Sequence, residues 1–269
     1  MPQTVAVLGT GKIGEALLSG MIRAGWRAAD LLATTRRAER AEELRSRYGV
    51  ETATNAEAAK RADILILAAK PQDMGTLLDE LTPHLTADRL VISAAAGITT
   101  AFIEERLPLG TPVVRVMPNT PVLVDEGMSV ISGGSHALPA HLAHAEEIFG
   151  GVGKTLRVPE SQQDACTALS GSGPAYFYFL VEAMTDAGIL LGLPRAQAHE
   201  LIVQAAVGAA VMLRDSGEHP VKLREAVTSP AGTTISAIRE LENHGVRAAL
   251  IAAIEAARDR SRALATGNG

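Results

Sequence analysis

Six residues, Gly9-Thr10-Gly11-Lys12-Ile13-Gly14, follow a short β-branched run, Val5–Leu8, and lead into a helical pattern over Ile13–Ala24. Glycines at this spacing between a strand and a helix meet three needs: a tight turn, approach of a ligand to bare backbone, and close packing of helix on strand. A strand used in this way needs parallel neighbours on both sides. The sequence supplies them. Strand-like runs at Leu31–Thr34, Val50–Thr52, Asp63–Ala69, Leu90–Ala94, Val113–Met117, Met128–Ser132 and Lys154–Val158 alternate with helical patterns. Those helical patterns cover Ala38–Tyr48, Asn55–Arg61, Met74–Leu81, Thr100–Leu107 and Leu138–Phe149. The expected class is α/β, with an N-terminal Rossmann-type doubly wound parallel sheet. The unbroken run Ile64–Leu67 suits a strand covered on both faces.

Beyond Pro159 the strand pattern ends, and helical patterns follow at Gln163–Leu169, Ala175–Leu191, Arg195–Asp215, Val221–Val227, Thr234–Asn243 and Arg247–Ala265. Glycine and proline are expected to separate them at Gly171–Pro174, Gly192–Pro194, Gly217–Pro220 and Ser229–Gly232. Two domains are therefore expected: residues 1–159 binding a dinucleotide, and residues 160–269 all-helical, for substrate and oligomer contacts. The stretch from Leu201 to Met212 is apolar on more than one face, and a helix apolar all round must be buried all round. Few helices in a domain of this size are shielded by their own chain, so a homo-oligomer built through the C-terminal half is expected, with a compact monomeric core as the alternative.

Only 3% of the residues are aromatic although 47% are hydrophobic, so alanine and branched aliphatics must fill the core. A net charge of −5 speaks against a nucleic-acid surface. The single cysteine, Cys166, leaves no internal disulfide, which fits a reducing cytoplasm. The apolar start at Val5–Leu8 is too short for a membrane span or a secretory signal, no lipid-spanning stretch is expected elsewhere, and no membrane partner is expected.

In this fold ligands lie at the carboxyl ends of the strands. The end of the second strand, where a carboxylate would bind the 2′-hydroxyl of NAD, reads Ala33-Thr34-Thr35-Arg36-Arg37, with no acid before Glu39. Two hydroxyls and two guanidiniums there suit the 2′-phosphate of NADP, so NADPH is the favoured cofactor and NADH a possible one. Their cations also oppose the dipole of the helix that follows, so a solvated loop alone leaves them without a structural reason. The loops Ala68-Ala69-Lys70-Pro71-Gln72 and Ala94-Ala95-Ala96-Gly97 lie at the same edge, where small residues admit a nicotinamide ribose; Lys70 by itself also suits a plain solvated charge. Pro71 is expected to keep Lys70 extended.

The segments Ser170–Ala175 and Ser229–Thr234 each place small polar residues before an apolar helix. Free N–H groups and hydroxyls at such an entrance can hold a carboxylate, although plain Ser/Thr capping produces the same pattern. An alcohol dehydrogenase needs a base beside the nicotinamide, normally His or Lys. From Ser161 to Leu193 there is no Lys, Arg or His, and the seven histidines are expected on exposed surfaces. A cyclic imine relaxes this need, because hydride adds directly to its electrophilic carbon.

The residues Val116-Met117-Pro118-Asn119-Thr120-Pro121, Leu169-Ser170-Gly171-Ser172-Gly173-Pro174-Ala175-Tyr176 and Val227-Thr228-Ser229-Pro230-Ala231-Gly232-Thr233-Thr234-Ile235 resemble the three diagnostic segments of the pyrroline-5-carboxylate reductases. The resemblance covers nearly the whole chain. It implies reduction of 1-pyrroline-5-carboxylate to L-proline by NAD(P)H, the last step of proline biosynthesis. It implies cofactor contacts at Leu8, Gly9, Thr10, Gly11, Lys12 and Ile13, at Thr35, Arg36 and Arg37 near the 2′-phosphate, and at Asn55 near the adenosine. On the nicotinamide side it implies Ala68, Ala69, Lys70 and Pro71 with Ala94, Ala95 and Ala96. For the imino-acid substrate it implies Glu160 together with Gly232, Thr233 and Thr234, and Thr234 as the catalytic hydroxyl beside the ring nitrogen. No metal is implied. An interleaved helical dimer, or a larger ring of dimers, is implied as well.

Two positions depart from the family pattern: Ala231 stands where glycine is usual, and Ala226 where some members have a polar contact to the cofactor. A methyl at Ala231 is harmless at negative φ and strained in a left-handed turn. Three rival readings are weighed beside this one. A β-hydroxyacid dehydrogenase requires a lysine on the central helix, which is absent. A cofactor-sensing module without turnover requires a basic reading helix or tail, which is not seen. A reductase of the same fold acting on another cyclic imine stays open at the level of sequence.

Overall fold

The computed structural model describes residues 3–265. The chain divides into two compact units: one runs to Ser172 and resumes at Ala257, and the other is Gly173–Ala256. The first unit contains β1 (Val5–Leu8), α1 (Lys12–Arg23), β2 (Leu31–Thr34), α2 (Ala38–Tyr48), β3 (Glu51–Thr52), α3 (Asn55–Arg61), β4 (Ile64–Leu67) and α4 (Met74–Leu81). It continues with β5 (Leu90–Ser93), α5 (Thr100–Glu104), β6 (Val113–Met117), β7 (Gly127–Gly133), α6 (Pro139–Gly150), β8 (Gly153–Arg157) and α7 (Gln163–Cys166).

The eight strands form one sheet in the order β3-β2-β1-β4-β5-β6-β7-β8. All pairs from β3 to β6 are parallel, as the alternating pattern predicts. The pair β6–β7 is antiparallel, and β8 runs parallel to β7. The sheet is therefore parallel-dominated rather than wholly parallel. The cause is the length of the link from Met117 to Gly127, a single 3-10 segment over Thr120–Val124, too short for the crossover that a parallel strand needs.

Alternate residues of each strand feed two cores. One face carries Val5, Val7, Ile64, Ile66, Ile92, Val114 and Val116 against Leu17, Leu18 and Met21 of α1 and Ile148 and Phe149 of α6. The opposite face carries Ala6, Leu8, Leu65, Leu67, Val91 and Val113 against α3, α4 and Ile103 of α5. Double coverage explains the unbroken apolar run in β4, whose four residues are all buried. Helix α3 starts with a reciprocal cap: Glu57 N–H donates to Thr54 Oγ1 (3.2 Å) while Thr54 N–H donates to Glu57 Oε2 (2.8 Å). Helix α6 is capped by a histidine instead, Leu138 N–H donating to His141 Nδ1 at 3.0 Å. His141, like His84 and His144, is half-buried, unlike the exposed placement expected of the histidines, and burial together with the charge of His144 holds the His141 pKa below the usual value.

The second unit comprises α8 (Gly173–Leu190), α9 (Arg195–Ser216), α10 (Pro220–Ala226) and α11 (Thr233–Asn243); α12 (Val246–Ala265) begins in it. Helices α8 and α9 pack closely because Gly188 lacks a side chain: a Cβ there would meet the Ala198 Cβ at 2.6 Å. Gly173 and Thr185 are the only buried residues of α8 and Ala198 the only one of α9. Phe177, Tyr178, Phe179, Leu190, Leu191, Leu201 and Met212 are exposed, which matches the prediction that one chain cannot cover this half. Helix α9 is long and apolar enough, by length and composition, to cross a membrane, a correction to the expectation that no stretch is of that kind.

One predicted break is absent. Instead of a loop from Gly171 to Pro174, residues Thr167–Gly171 form a π-helical turn and α8 starts at Gly173. Ser172 N–H donates to Thr167 O at 2.9 Å and Ser170 Oγ to Cys166 O at 3.0 Å. This segment spends its polar groups on its own backbone and does not form the free helix entrance expected of it.

Candidate functional site

The strand order places a topological switch between β1 and β4, where a crevice opens at the carboxyl ends of the strands. Leu8 ends β1 and is fully buried; Gly9 turns the chain at φ +87°. A Cβ on Gly9 would sit 3.0 Å from the Ala69 nitrogen, so the turn is pressed against the loop after β4. A Cβ on Gly14 would meet Gly9 O and Val7 Cγ1, both at 3.1 Å, which fixes α1 close to β1. Around Gly11, by contrast, an added Cβ would find no atom within 4 Å. That open backbone lies at the start of α1, whose N-cap, Gly11 itself, supplies no side-chain cap. Lys12 is exposed beside it and Ile13 is half-buried. An uncapped helix start with room above a glycine fits a pyrophosphate.

The turn is held from behind. Thr10 N–H and Thr10 Oγ1 both donate to Thr34 O, at 3.1 and 2.6 Å. Thr34 Oγ1 donates to Asn55 Oδ1 (2.7 Å), and Asn55 Nδ2 donates to Glu80 Oε2 (2.7 Å). Asn55 is thereby fixed beside the glycine turn by Glu80, which sequence reasoning missed, and by Thr34, whose buried hydroxyl is spent on Asn55 and not left for a phosphate as expected. Glu15 of α1 adds a second brace, paired with Arg40 and accepting from Arg47 Nη1 and Tyr48 OH, both at 2.9 Å. Burial alone would raise the Glu15 pKa, but the hydrogen bonds of Arg40 and Tyr48 and the charges of Arg40 and Arg47 hold it below the usual carboxylate value.

Beyond β2, Thr35 Oγ1 accepts from Arg37 N–H at 3.4 Å. Arg36 is exposed and donates to Asp73 Oδ2 at 2.8 Å, and the exposed Arg37 side chain makes no ion pair among the described residues. The loop after β4 has Ala68 and Ala69 half-buried, with Lys70 exposed and extended at φ −67°, ψ 148° before Pro71, as expected. After β5, Ala94 is half-buried, Ala95 buried and Ala96 exposed. Apart from Leu8, which ends β1 itself with its side chain in the core, all the residues expected to face the cofactor belong to the loops and helix starts that follow β1, β2, β3, β4 and β5 in the first unit.

Glu160 also belongs to this unit. It begins a 3-10 turn after β8, and its Oε1 accepts from Arg115 Nη1 (2.9 Å) and from the Thr100 backbone N–H (3.3 Å). Arg115 was missed by sequence reasoning; its signal was a lone charge inside the apolar run Val113–Met117. Asn119 joins two of the motif segments, donating through Nδ2 to Ser170 O (3.1 Å) and accepting from Met128 N–H (2.8 Å).

In the second unit, Ser229-Pro230-Ala231-Gly232 forms a turn closed by Gly232 N–H to Ser229 O at 3.1 Å. Proline in the second place and a positive φ in the third, +56° at Ala231, define a type II turn. It delivers the chain to α11, whose N-cap, Gly232, has no side-chain cap. Thr233 is exposed and Thr234 half-buried, and neither hydroxyl has a hydrogen-bond partner among the described residues. This is the free helix entrance that an anionic group requires. No group of acids, histidines or cysteines able to hold a metal occurs among the described residues.

Comparison with known proteins is consistent across sequence and structure. A family model described as pyrroline-5-carboxylate reductase dimerisation matches residues 160–264, a segment that includes α9, and one described as NADP oxidoreductase coenzyme F420-dependent matches residues 4–97. A curated pyrroline-5-carboxylate reductase of Corynebacterium melassecola is 47% identical over 97% of this chain and 98% of its own length. The solved pyrroline-5-carboxylate reductase of Coxiella burnetii superposes with a TM-score of 0.93 at 35% identity, covering 98% of this chain and 99% of that one. The Plasmodium falciparum pyrroline carboxylate reductase, solved with NADP bound, superposes with a TM-score of 0.87 at 29% identity, covering 98% of each chain.

Proposed function

The chain belongs to the pyrroline-5-carboxylate reductase family, and from that premise we propose how its residues divide the reduction of 1-pyrroline-5-carboxylate to L-proline between them. A reduced nicotinamide cofactor, when bound, supplies the hydride that adds to the imine carbon; the ring nitrogen, protonated, becomes the amine. The carbon–nitrogen double bond is reduced by two electrons and no leaving group departs.

The protein's share is placement. The open backbone at Gly11 and the uncapped start of α1 take the pyrophosphate, with Leu8, Gly9, Thr10, Lys12 and Ile13 shaping the turn. Thr35, Arg36 and Arg37 meet the adenosine ribose. The absence of a carboxylate before Glu39 supports a preference for NADPH over NADH. Asn55 lies on the adenosine side, and Ala68–Pro71 with Ala94–Ala96 on the nicotinamide side. At the Gly232, Thr233 and Thr234 entrance the free N–H groups of Thr233 and Thr234 take the substrate carboxylate, and Thr234 Oγ1 hydrogen-bonds the ring nitrogen. Glu160 completes the substrate set.

The observation that carries this division is Thr234: a half-buried hydroxyl without a partner, at an uncapped helix start, in a chain with no Lys, Arg or His between Ser161 and Leu193. The test is Thr234→Ala in a steady-state assay of NADPH oxidation with 1-pyrroline-5-carboxylate, repeated with NADH and with six-membered imines. Turnover should fall at least tenfold while NADPH affinity stays within about twofold, since one hydrogen bond to a charged group is worth roughly 1.5–3 kcal/mol. Equal turnover in the variant removes Thr234 from the mechanism, and equal rates with larger rings remove the substrate assignment. The exposed apolar face of α8 and α9 supports assembly through the helical half, as a dimer or as a ring of dimers, in the cytoplasm.

A further inference from the structure

We propose that Arg115 is a positioning residue for the nicotinamide end of the site: it grips the Glu160 carboxylate, and the carboxylate anchors the start of α5, where the Ala94–Ala96 loop finishes. The inference rests on the placement of the nicotinamide at that loop.

The first observation is the row in which Arg115 stands. In the sheet register Arg115 pairs with Ser93 of β5 on one side and Ser132 of β7 on the other. All three are buried, at 2%, 0% and 0% exposure. Two residues earlier the same face is apolar, with Val91 and Val113 in the core against α5. The face turns polar at the last row of β5, directly below Ala94, on the edge where ligands bind.

The second observation is the connection. Arg115 Nη1 and the Thr100 N–H converge on one oxygen, Glu160 Oε1. Thr100 is the first residue of α5, and only residues 97–99 separate it from the Ala94–Ala96 loop. Gln163, fully buried, sits on the same row through Ser132 Oγ (2.8 Å) and Val130 O (3.2 Å).

The third observation is what the cluster leaves unpaired. Arg115 Nε and Nη2, Glu160 Oε2 and Gln163 Oε1 are buried and have no partner among the described residues. A buried ion pair that leaves donors and acceptors unmatched is a poor source of stability, and well-packed apolar groups of similar volume are commonly as stable or more so. Geometry is what such a cluster supplies: a charged cross-brace from β6 to the first turn after the loop.

The test uses the full-length enzyme with Arg115→Met, Glu160→Leu and the double variant. Dissociation constants are measured for NADP+ and for 2′,5′-ADP, which carries the adenosine and 2′-phosphate but no nicotinamide, alongside thermal midpoints and steady-state constants. Glu160→Leu leaves the buried Arg115 guanidinium as a lone charge and is expected to lose the more stability; Arg115→Met leaves Glu160, which is 29% exposed, and is expected to lose less. The double variant should melt at or above the wild-type temperature, bind 2′,5′-ADP within about twofold of wild type, and bind NADP+ about tenfold more weakly, with kcat reduced. A folded double variant with wild-type NADP+ affinity and kcat overturns the proposal. So does parallel weakening of both ligands, which marks a general structural role. The ratio of the two affinities needs no turnover, so it separates failure of this inference from failure of the assigned reaction.

Discussion

Replacing Ala231 with glycine should stabilise the protein, and the size of the gain follows from the turn. Ala231 occupies the third position of a type II turn at φ +56°, a region in which the β-carbon of an L-residue crowds the backbone at a cost of roughly 1–2 kcal/mol. The side chain is exposed, so removing its methyl forfeits no packing. Against the relief stands the greater freedom of glycine in the unfolded chain, about 0.4–1 kcal/mol. The balance is a gain of about 1 kcal/mol, or roughly 2–4 °C in a thermal midpoint for a chain of this size. Asparagine, which tolerates left-handed backbone, should fall between glycine and alanine, and valine should melt lowest of the four. The assay is thermal denaturation of the four proteins at one fixed concentration, because assembly shifts the midpoint by mass action. Since the turn feeds the entrance of α11, the Michaelis constant for the imino acid should fall modestly in Ala231→Gly and rise in Ala231→Val. A glycine variant that melts no higher than alanine, beside a valine variant that melts equally high, would refute the left-handed assignment.

Other perturbations give equally direct readings. Glu15→Gln should destabilise the protein at pH 7 by about 1 kcal/mol by loosening the brace to α2. Because the folded Glu15 pKa lies below its ordinary value, the contribution is complete above the usual carboxylate range and disappears as pH falls through the folded value; urea titrations of both proteins should therefore converge at acid pH. Arg36→Ala combined with Arg37→Ala should raise the NADPH Michaelis constant roughly tenfold and leave NADH nearly unchanged; an unaltered preference ratio would count against a phosphate site there. Asp73→Asn, which releases Arg36 from an exposed pair, should improve NADPH affinity by no more than about fivefold, since such pairs are worth up to about 1 kcal/mol. Burial pushes the Cys166 thiol above its usual pKa, so its alkylation at neutral pH should be slower than that of a free thiol, and fast labelling would contradict that burial.

Much of the candidate site was legible because its signals are local. The glycine string, Thr35 and the guanidiniums after β2, and the small residues before α11 each lie within one turn of chain, and the resemblance to known reductases linked them. The residues that escaped notice, Glu80, Arg115 and Gln163, act through partners distant in sequence, and so does Thr34, whose hydroxyl was read as a phosphate contact and is instead buried against Asn55. Arg115 meets Glu160 across 45 positions, and no periodicity reports such a pairing. The π-helical turn at Thr167–Gly171 escaped for a related reason: serine and glycine suit a loop and a hydrogen-bonded turn alike, and the backbone acceptors available at that place decide between them.

The succession of short unbroken apolar runs and 3.6-residue patterns by itself determined the elements and their class, since a strand covered on both faces must be apolar throughout while a helix must show its buried side at its own period. Strand order, the reversal of β7 and β8, the sign of φ at Ala231 and the partner of a buried guanidinium belong to the tertiary structure. Each is a choice among arrangements that the same local residues permit, made by which surfaces the folded chain can bury at once.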